Sequence, residues 1–423
     1  MKIVLYAMGT LGDVLPVAEI GKKLKNNGVN VVVITNRYFE KVINDYGLEV
    51  HIVTETDLYA YTYSNPKTWT LEGVTDHYID YHVPAIKPSF DFVKSLVEKG
   101  EEICVISQSR MSGADMACEA FGLKSAHIAL APWSVHSDLS PSYPLCAKVK
   151  EADKEEYMPI ISDKIIGALH RDIVRKHMNP IREELGLEPW VPSTIPRLED
   201  SESITALFPE WFRTVPDDWP KHIFFAGFVQ PSQNNKSSIA FFKDFVQMAG
   251  KPILFTGGTG VWSNDEEVKK CKIICEKLGV PGVYVNLNMP DLVEHTDENF
   301  LCVNFLDFTS ALEYCRLFVS HGGIGTVAEG ITAGVPQLIK PMSFDQPDNA
   351  YWLWNLGVGN AVAQGSTVDE FVDMARELIE SKKVAKKLAT YKKKVKEERY
   401  LDEALAKILY HFNDTENRVK IAS

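Results

Sequence analysis

His321 to Gly334 reads HGGIGTVAEGITAG, and it decides the fold. It follows the apolar run Arg316 to Ser320 (RLFVS), which suits a buried parallel strand, and it leads into a helical pattern. Gly322, Gly323 and Gly325 remove the side chains that would hold a ligand away from the main chain. Thr326 and Glu329 have the spacing of a capping box, so the helix is expected to start at Thr326. Its unpaired N–H groups and the positive end of its dipole then face an anion at the turn. His321 adds a hydrogen-bond donor at the mouth. A tight turn in any α/β protein has similar letters, so the residues that follow must decide between the two readings.

Pro336 to Pro341 (PQLIKP) reads as the next short strand, followed by Phe344, Asp345, Gln346, Asp348 and Asn349 and a helix through Leu356. An acid–amide pair on a strand-to-helix loop suits sugar hydroxyls, because Asp accepts hydrogen bonds and Gln both accepts and donates. The whole stretch HGGIGTVAEGITAGVPQLIKPMSFDQPDNA resembles the donor-binding motif of inverting nucleotide-sugar glycosyltransferases of the GT-B architecture. The resemblance implies an α/β chain of two Rossmann-like domains facing across a cleft. It also implies that His321, Gly322, Gly323, Gly325 and Thr326 hold the diphosphate, and that Asp345 and Gln346 hold the sugar.

Size and composition suit that expectation. A chain of 423 residues is too long for one ordinary core and fits two domains. Hydrophobic content of 45% with 24% charged residues is that of a globular enzyme, and a net charge of −12 argues against a nucleic-acid partner. The seven cysteines are scattered, which suggests a reducing compartment, and Cys271 and Cys275 lack partners at metal spacing and read as packing residues. No apolar run approaches the ~20 residues that span a bilayer. The apolar stretch Ile3 to Met8 is too short for a signal peptide, so a cytoplasmic location is expected. No Asp-x-Asp motif lies near the donor segments, so neither an obligatory metal nor another cofactor is expected.

Strand-like and helix-like segments alternate along the chain, as parallel sheets with crossover helices require. Strands are expected at Lys2 to Met8, Val29 to Thr35, Glu49 to Thr54, Ile103 to Ser107, Ala126 to Ala131, Ile204 to Phe208 and Ile223 to Ala226. A second series follows at Ile253 to Thr256, Val283 to Leu287, Phe300 to Phe305 and Leu317 to Ser320. Polar Val229 to Ser238 reads as the linker. The domains are therefore expected at 1–228, on the acceptor side, and 239–400, on the nucleotide-sugar side, with a 401–423 helix packing back on the first. Lys392, Lys393, Lys394 and Lys396 beside Glu397 and Glu398 read as a solvated helical face, and peripheral contact with a membrane surface is the alternative.

The first strand runs into Gly9 to Pro16 (GTLGDVLP), with Pro16 expected to open a helix that buries Val17, Ile20 and Leu24. Asp13 then sits at the carboxyl edge of the first sheet, where open α/β sheets bind ligands. Many members of the resembled family carry a His here as the base that deprotonates the acceptor. A bacterial branch acting on lipids and antibiotic aglycones carries Gly-Asp, and this chain has Gly12-Asp13. The resemblance thus implies Asp13 as the base, with Thr10 beside the donor. An ordinary Asp, with a pKa near ~3.9, is a weak base unless its surroundings raise that value. The other reading is that Asp13 caps a helix opening at Leu15 or Pro16.

Further positions follow from the same resemblance. Gly258 and Thr259 in Phe255 to Gly260 (FTGGTG) match a small-residue pair beside the diphosphate, and Phe305 and Leu306 match the place where a ring stacks on the nucleobase and backbone groups read its edge. Phe308 stands where many members have Gln, and ordinary core is the alternative reading of Phe305. On the acceptor side, Leu58 to Phe90 is rich in rings, including Tyr81, and Trp133 and His136 follow a strand end. Such surfaces suit an apolar acceptor, and a lid packing on itself is the alternative. Phe208 to Phe212 (FPEWF), Asp218 to Pro220 and Gly227-Phe228 resemble the bacterial rhamnosyltransferases of rhamnolipid synthesis. The expected activity is inverting transfer of a hexose from a UDP- or dTDP-sugar to a hydroxyl of a small hydrophobic acceptor such as a lipid, polyketide, terpenoid or phenol. A sugar-nucleotide epimerase of the same fold and a non-catalytic sugar-nucleotide binding protein are the alternatives. The ring-rich segment argues for the transferase.

Overall fold

A computed structural model describes residues 1–70, 73–140, 171–230, 239–258, 265–286, 296–363 and 365–414. Two compact units divide the chain, one formed mainly by residues before the 231–238 segment and the other by residues from there to Glu398.

The first unit is built on strands β1 (Lys2–Tyr6), β2 (Asn30–Asn36), β3 (Glu49–Thr54), β4 (Ile103–Ser107), β5 (Lys124–Ala129), β6 (Ile204–Ala206) and β7 (Phe224–Phe225). Their order is β3-β2-β1-β4-β5-β6-β7, and every pairing is parallel. Ile3, Val4 and Leu5 are fully buried, as central strands covered on both faces demand, and Val4 lies between Val32 and Val105. Chain order turns back between β1 and β4. That reversal opens a crevice at the carboxyl ends of these two strands.

The second unit repeats the plan with β8 (Ile253–Thr256), β9 (Gly282–Val285), β10 (Phe300–Val303), β11 (Leu317–Ser320), β12 (Gln337–Ile339) and β13 (Gly359–Ala361), ordered β10-β9-β8-β11-β12-β13. Side chains alternate between its two faces. Ile253, Phe255, Leu317 and Val319 join one apolar cluster, while Leu254 and Phe318 join another. The reversal here falls between β8 and β11, the strands that lead to Gly258 and His321. Edge strand β13 was not foreseen, because Gly-Asn-Ala carries no period-2 pattern.

The helix Leu401–Asn413 belongs to the first unit. It buries Ala404, Leu405, Ile408 and Phe412. Lys124 Nζ donates to His411 O at 2.9 Å, and Lys23 Nζ meets Asp402 at 2.7 Å. Among the described residues no helix is long and apolar enough to cross a membrane.

Candidate functional site

In the second unit the loop after β11 enters the helix Ile324–Ala333. Its N-cap is Gly323, with Val327 N donating to Gly323 O at 3.0 Å, so the helix opens two residues before the expected Thr326. Glycine caps through its backbone alone and leaves no side-chain signature to read. Gly322 adopts φ +92°, a region that excludes most side chains, and a Cβ there would lie 2.5 Å from Ile339 Cγ2. The His321 ring is wedged between two glycines. A Cβ on Gly258 would come within 2.4 Å of His321 Cε1, and one on Gly323 within 2.7 Å of Nε2.

Burial pushes the His321 pKa down to about 4, so the ring is neutral near pH 7. Its Nδ1 is buried and finds no hydrogen-bond partner among the described residues. A first helical turn leaves its N–H groups without intrahelical acceptors. Of these, Ile324 N donates to Asp345 Oδ2 at 3.1 Å, and the amides of Gly325 and Thr326 meet no acceptor among the described residues. The turn therefore offers two amides, a helix dipole and a neutral imidazole to one anion.

Asp345 and Gln346 open the next helix, Gln346–Leu356, and the structure brings them to this turn. Asp345 Oδ2 also accepts from Asn349 Nδ2 at 2.7 Å, and Asn349 Nδ2 donates to Gly322 O at 2.9 Å. Gln346 Oε1 accepts from Met342 N and Ser343 N at 2.9 and 3.3 Å. Part of the pair's capacity is thus committed to holding the glycine loop. Asn349, which received no role from its sequence, ties the two segments together. Phe344, just before the pair, has φ +57°, the one positive φ of a non-glycine among the described residues, a conformation costing on the order of 1 kcal/mol.

Phe305 is 48% exposed and so is not core, while Leu306 is buried with Phe318 and Val335. Phe308 stacks edge-on against Phe318 at 5.4 Å. Glu329, expected only as a capping partner of Thr326, instead accepts from Thr309 Oγ1 at 3.2 Å. Burial, with Asp307 adding repulsion, pushes its carboxyl up to about 7. Thr259 lies outside the described residues.

In the first unit the loop after β1 enters the helix Leu11–Asn26. Pro16, expected at the start, lies inside this helix. Thr10 is the N-cap and Asp13 the third helical residue. Asp13 Oδ2 accepts from Thr10 N at 2.6 Å and from Thr10 Oγ1 at 2.9 Å. Asp13 therefore does not cap a helix that opens at Leu15 or Pro16; as third residue of a helix that opens at Leu11 it closes a capping box on Thr10 through one carboxylate oxygen. Burial nonetheless raises the Asp13 pKa against the lowering effect of the Thr10 bonds, which makes it a stronger base than an ordinary Asp. Gly9 has φ +131°, and a Cβ on it would lie 2.4 Å from Asp13 Oδ2.

Tyr81 is fully buried, and its Oη donates to Gly9 O at 3.4 Å. The surrounding rings pack on one another: Tyr63 lies 5.2 Å from Tyr81, 4.6 Å from Tyr59 and 5.2 Å from His77, centroid to centroid. Asp13 helps to raise the pKa of Tyr59, Tyr63 and Tyr81, so the three phenols lie within electrostatic reach of its carboxylate. Trp133 and His136 stand apart at the carboxyl end of β5, beyond β4 from the Asp13 turn. His136 Nε2 pairs with Asp138 Oδ1 at 2.8 Å. Among the described residues no group of His, Cys, Asp and Glu gathers to hold a metal ion.

Residues 283–403 match the family model described as erythromycin biosynthesis protein CIII-like, C-terminal domain. A sterol 3-beta-glucosyltransferase of Arabidopsis thaliana is 25% identical over 398 residues, which cover 88% of this chain and 59% of that enzyme. Among solved structures, the glycotransferase of kitacinnamycin superposes with TM-score 0.71 at 18% identity, over 97% of this chain and 99% of its own. The glycosyltransferase VinC in complex with dTDP superposes with TM-score 0.64 at 17% identity, over 97% and 99%. The fold is GT-B.

Proposed function

We propose that this chain, a glycosyltransferase of the GT-B fold, moves a hexose from a UDP- or dTDP-sugar to a hydroxyl of a small hydrophobic acceptor, with inversion at the anomeric carbon. The observation that carries the donor half is the turn after β11, where the His321 ring is fixed between Gly258 and Gly323 beside the amides of Gly325 and Thr326. A nucleoside diphosphate is the anion this geometry suits, and these donors stabilise the charge that grows as it leaves. Asp345 and Gln346, at the start of the helix beside this turn, take sugar hydroxyls. The half-exposed Phe305 ring stacks on the base. The VinC complex with dTDP supports a nucleotide of this kind.

For the acceptor half, Asp13 Oδ2 is committed to Thr10 and Oδ1 takes the acceptor proton. The acceptor oxygen attacks the anomeric carbon as the bond from that carbon to the diphosphate oxygen breaks, so the nucleoside diphosphate leaves from the opposite face. The similarity to enzymes named for action on sterols favours an apolar acceptor.

The test is a thermal-shift screen against UDP- and dTDP-sugars, followed by mass spectrometry of products from pooled sterols, phenols and macrolides. Stabilisation by one donor class and a mass gain of one hexose on an apolar acceptor are expected. The anomeric proton coupling of the product reads inversion. Turnover of the donor to an isomeric nucleotide sugar, without any acceptor, would defeat the proposal.

A further inference from the structure

The turn that carries Asp13 is held from both ends by side chains from other segments. Tyr81 Oη donates to the carbonyl of Gly9, and Gln108 Nε2 donates to the backbone carbonyl of Asp13 at 2.6 Å. Gln108 directly follows β4, so it stands across the β1–β4 crevice from the turn it grips. Between the two anchors the backbone has little freedom. Gly9 is the only residue type that fits its position, and Thr10 fixes Asp13 Oδ2 through two hydrogen bonds. Every constraint acts on the loop or on Oδ2. Oδ1 is the atom whose direction they set.

We propose that Gln108 and Tyr81 are positioning residues that aim Asp13 Oδ1 at the acceptor hydroxyl. This inference rests on the reading of Asp13 as the base. Neither side chain touches the acceptor in the scheme. Loss of either lets the Gly9–Asp13 turn swing, which misplaces the proton acceptor by a fraction of an ångström and slows proton transfer without loosening the donor. A structural role alone would lower stability and activity for every substrate alike.

The experiment compares Gln108→Leu and Tyr81→Phe with Asp13→Asn in the full-length chain, using the donor that stabilises it and 4-methylumbelliferone as acceptor. Below the pKa of that phenol each positioning variant is expected to lose about 5- to 20-fold in kcat with donor KM unchanged. Above that pKa the acceptor arrives already ionised, needs no base, and the loss should vanish. A loss that persists at high pH, or a kcat within twofold of the parent at low pH, overturns the proposal. Carbon-13 NMR titration of the Asp13 carboxyl gives a readout independent of turnover. Loosening the turn should move its pKa toward the ordinary Asp range in both variants, and an unchanged titration overturns the proposal as well. Near-parental turnover in Asp13→Asn at low pH instead defeats the base assignment itself, a result that the positioning variants cannot mimic.

Discussion

Two turns of this molecule are built alike and put to opposite use. Each follows the first or fourth strand of a six- or seven-stranded parallel sheet, at the point where strand order reverses, and each passes through a positive-φ glycine into a helix. In the first unit the carboxylate at the helix start comes from the helix itself, because Asp13 folds back onto the amide and hydroxyl of Thr10. In the second, a carboxylate from another segment takes a single amide, that of Ile324, and the amides of Gly325 and Thr326 are left for something else. The same backbone device thus fixes a base in one place and receives an anion in the other. The difference lies in whether a carboxylate sits three residues past the cap.

The contrast breaks first at Asp13. Asp13→Asn keeps an oxygen for Thr10 but removes the basic atom, so turnover should fall roughly 100-fold or more while the melting temperature stays near the parent's. Because burial raises the Asp13 pKa, the acid limb of the parent's rate profile should lie above the range of an ordinary Asp, and Asp13→Asn should lack it. Single-turnover rates across pH check both. An active Asp13→Asn with a destabilised Asp13→Ala would make the two turns alike after all, each a cap and nothing more.

In the second turn, His321→Ala should weaken binding of the nucleoside diphosphate by on the order of 1 to 3 kcal/mol, measured by calorimetry, through loss of a neutral hydrogen bond. Since the ring titrates at about 4, that affinity should owe nothing to imidazole charge between pH 6 and 8. A steep loss over this interval that His321→Ala abolishes would show a charged ring.

Asp345 sharpens the picture at smaller scale. Its removal frees Ile324 N and loosens Asn349, so Asp345→Ala should cost the nucleotide sugar about tenfold more affinity than the bare nucleoside diphosphate if the residue also reads the sugar. Equal losses in calorimetry would confine it to holding the loop.

The smallest effect is on stability, and the two residues pull in opposite directions. His321 titrates at about 4 in the folded chain against an ordinary 6.5, so the unfolded chain binds the extra proton and stability falls as pH drops through that window. Glu329 titrates at about 7 against an ordinary 4.5, so the folded chain keeps a proton the unfolded chain loses, and stability falls as pH rises from 4.5 to 7. Glu329→Gln should therefore gain on the order of 1 kcal/mol over the parent at pH 7.5 and nothing at pH 4.5, read from denaturant midpoints. An equal effect at both pH values would refute the shift.

What was legible in the sequence follows the same divide. Strands such as Ile103–Ser107, Ile253–Thr256 and Leu317–Ser320 were found at their exact ends, because a buried parallel strand is a short apolar run and little else. Helix starts were missed at both turns. Pro16 and Thr326 are residues that commonly open helices, but the caps are Thr10 and Gly323, set by strand ends rather than by local preference. The residues Asp13, His321, Asp345 and Gln346 were visible as letters. The contacts of Gln108 with the Asp13 carbonyl, of Asn349 with Gly322 and of Thr309 with Glu329 were not, since each joins distant segments and carries no local pattern. Tyr81 was seen as one ring among many, and only burial against Gly9 sets it apart.

The helix Leu401–Asn413 has a consequence for how the molecule is made. The first unit lacks the side chains of Leu405, Ile408 and Phe412 until long after its own sheet has left the ribosome, while the second unit is complete beforehand. During synthesis the leading half must wait, with an apolar groove beside β5 uncovered, for the trailing half to finish. Vectorial synthesis therefore favours the later unit maturing first, and truncation just before Leu401 should injure the half of the protein farthest away in sequence.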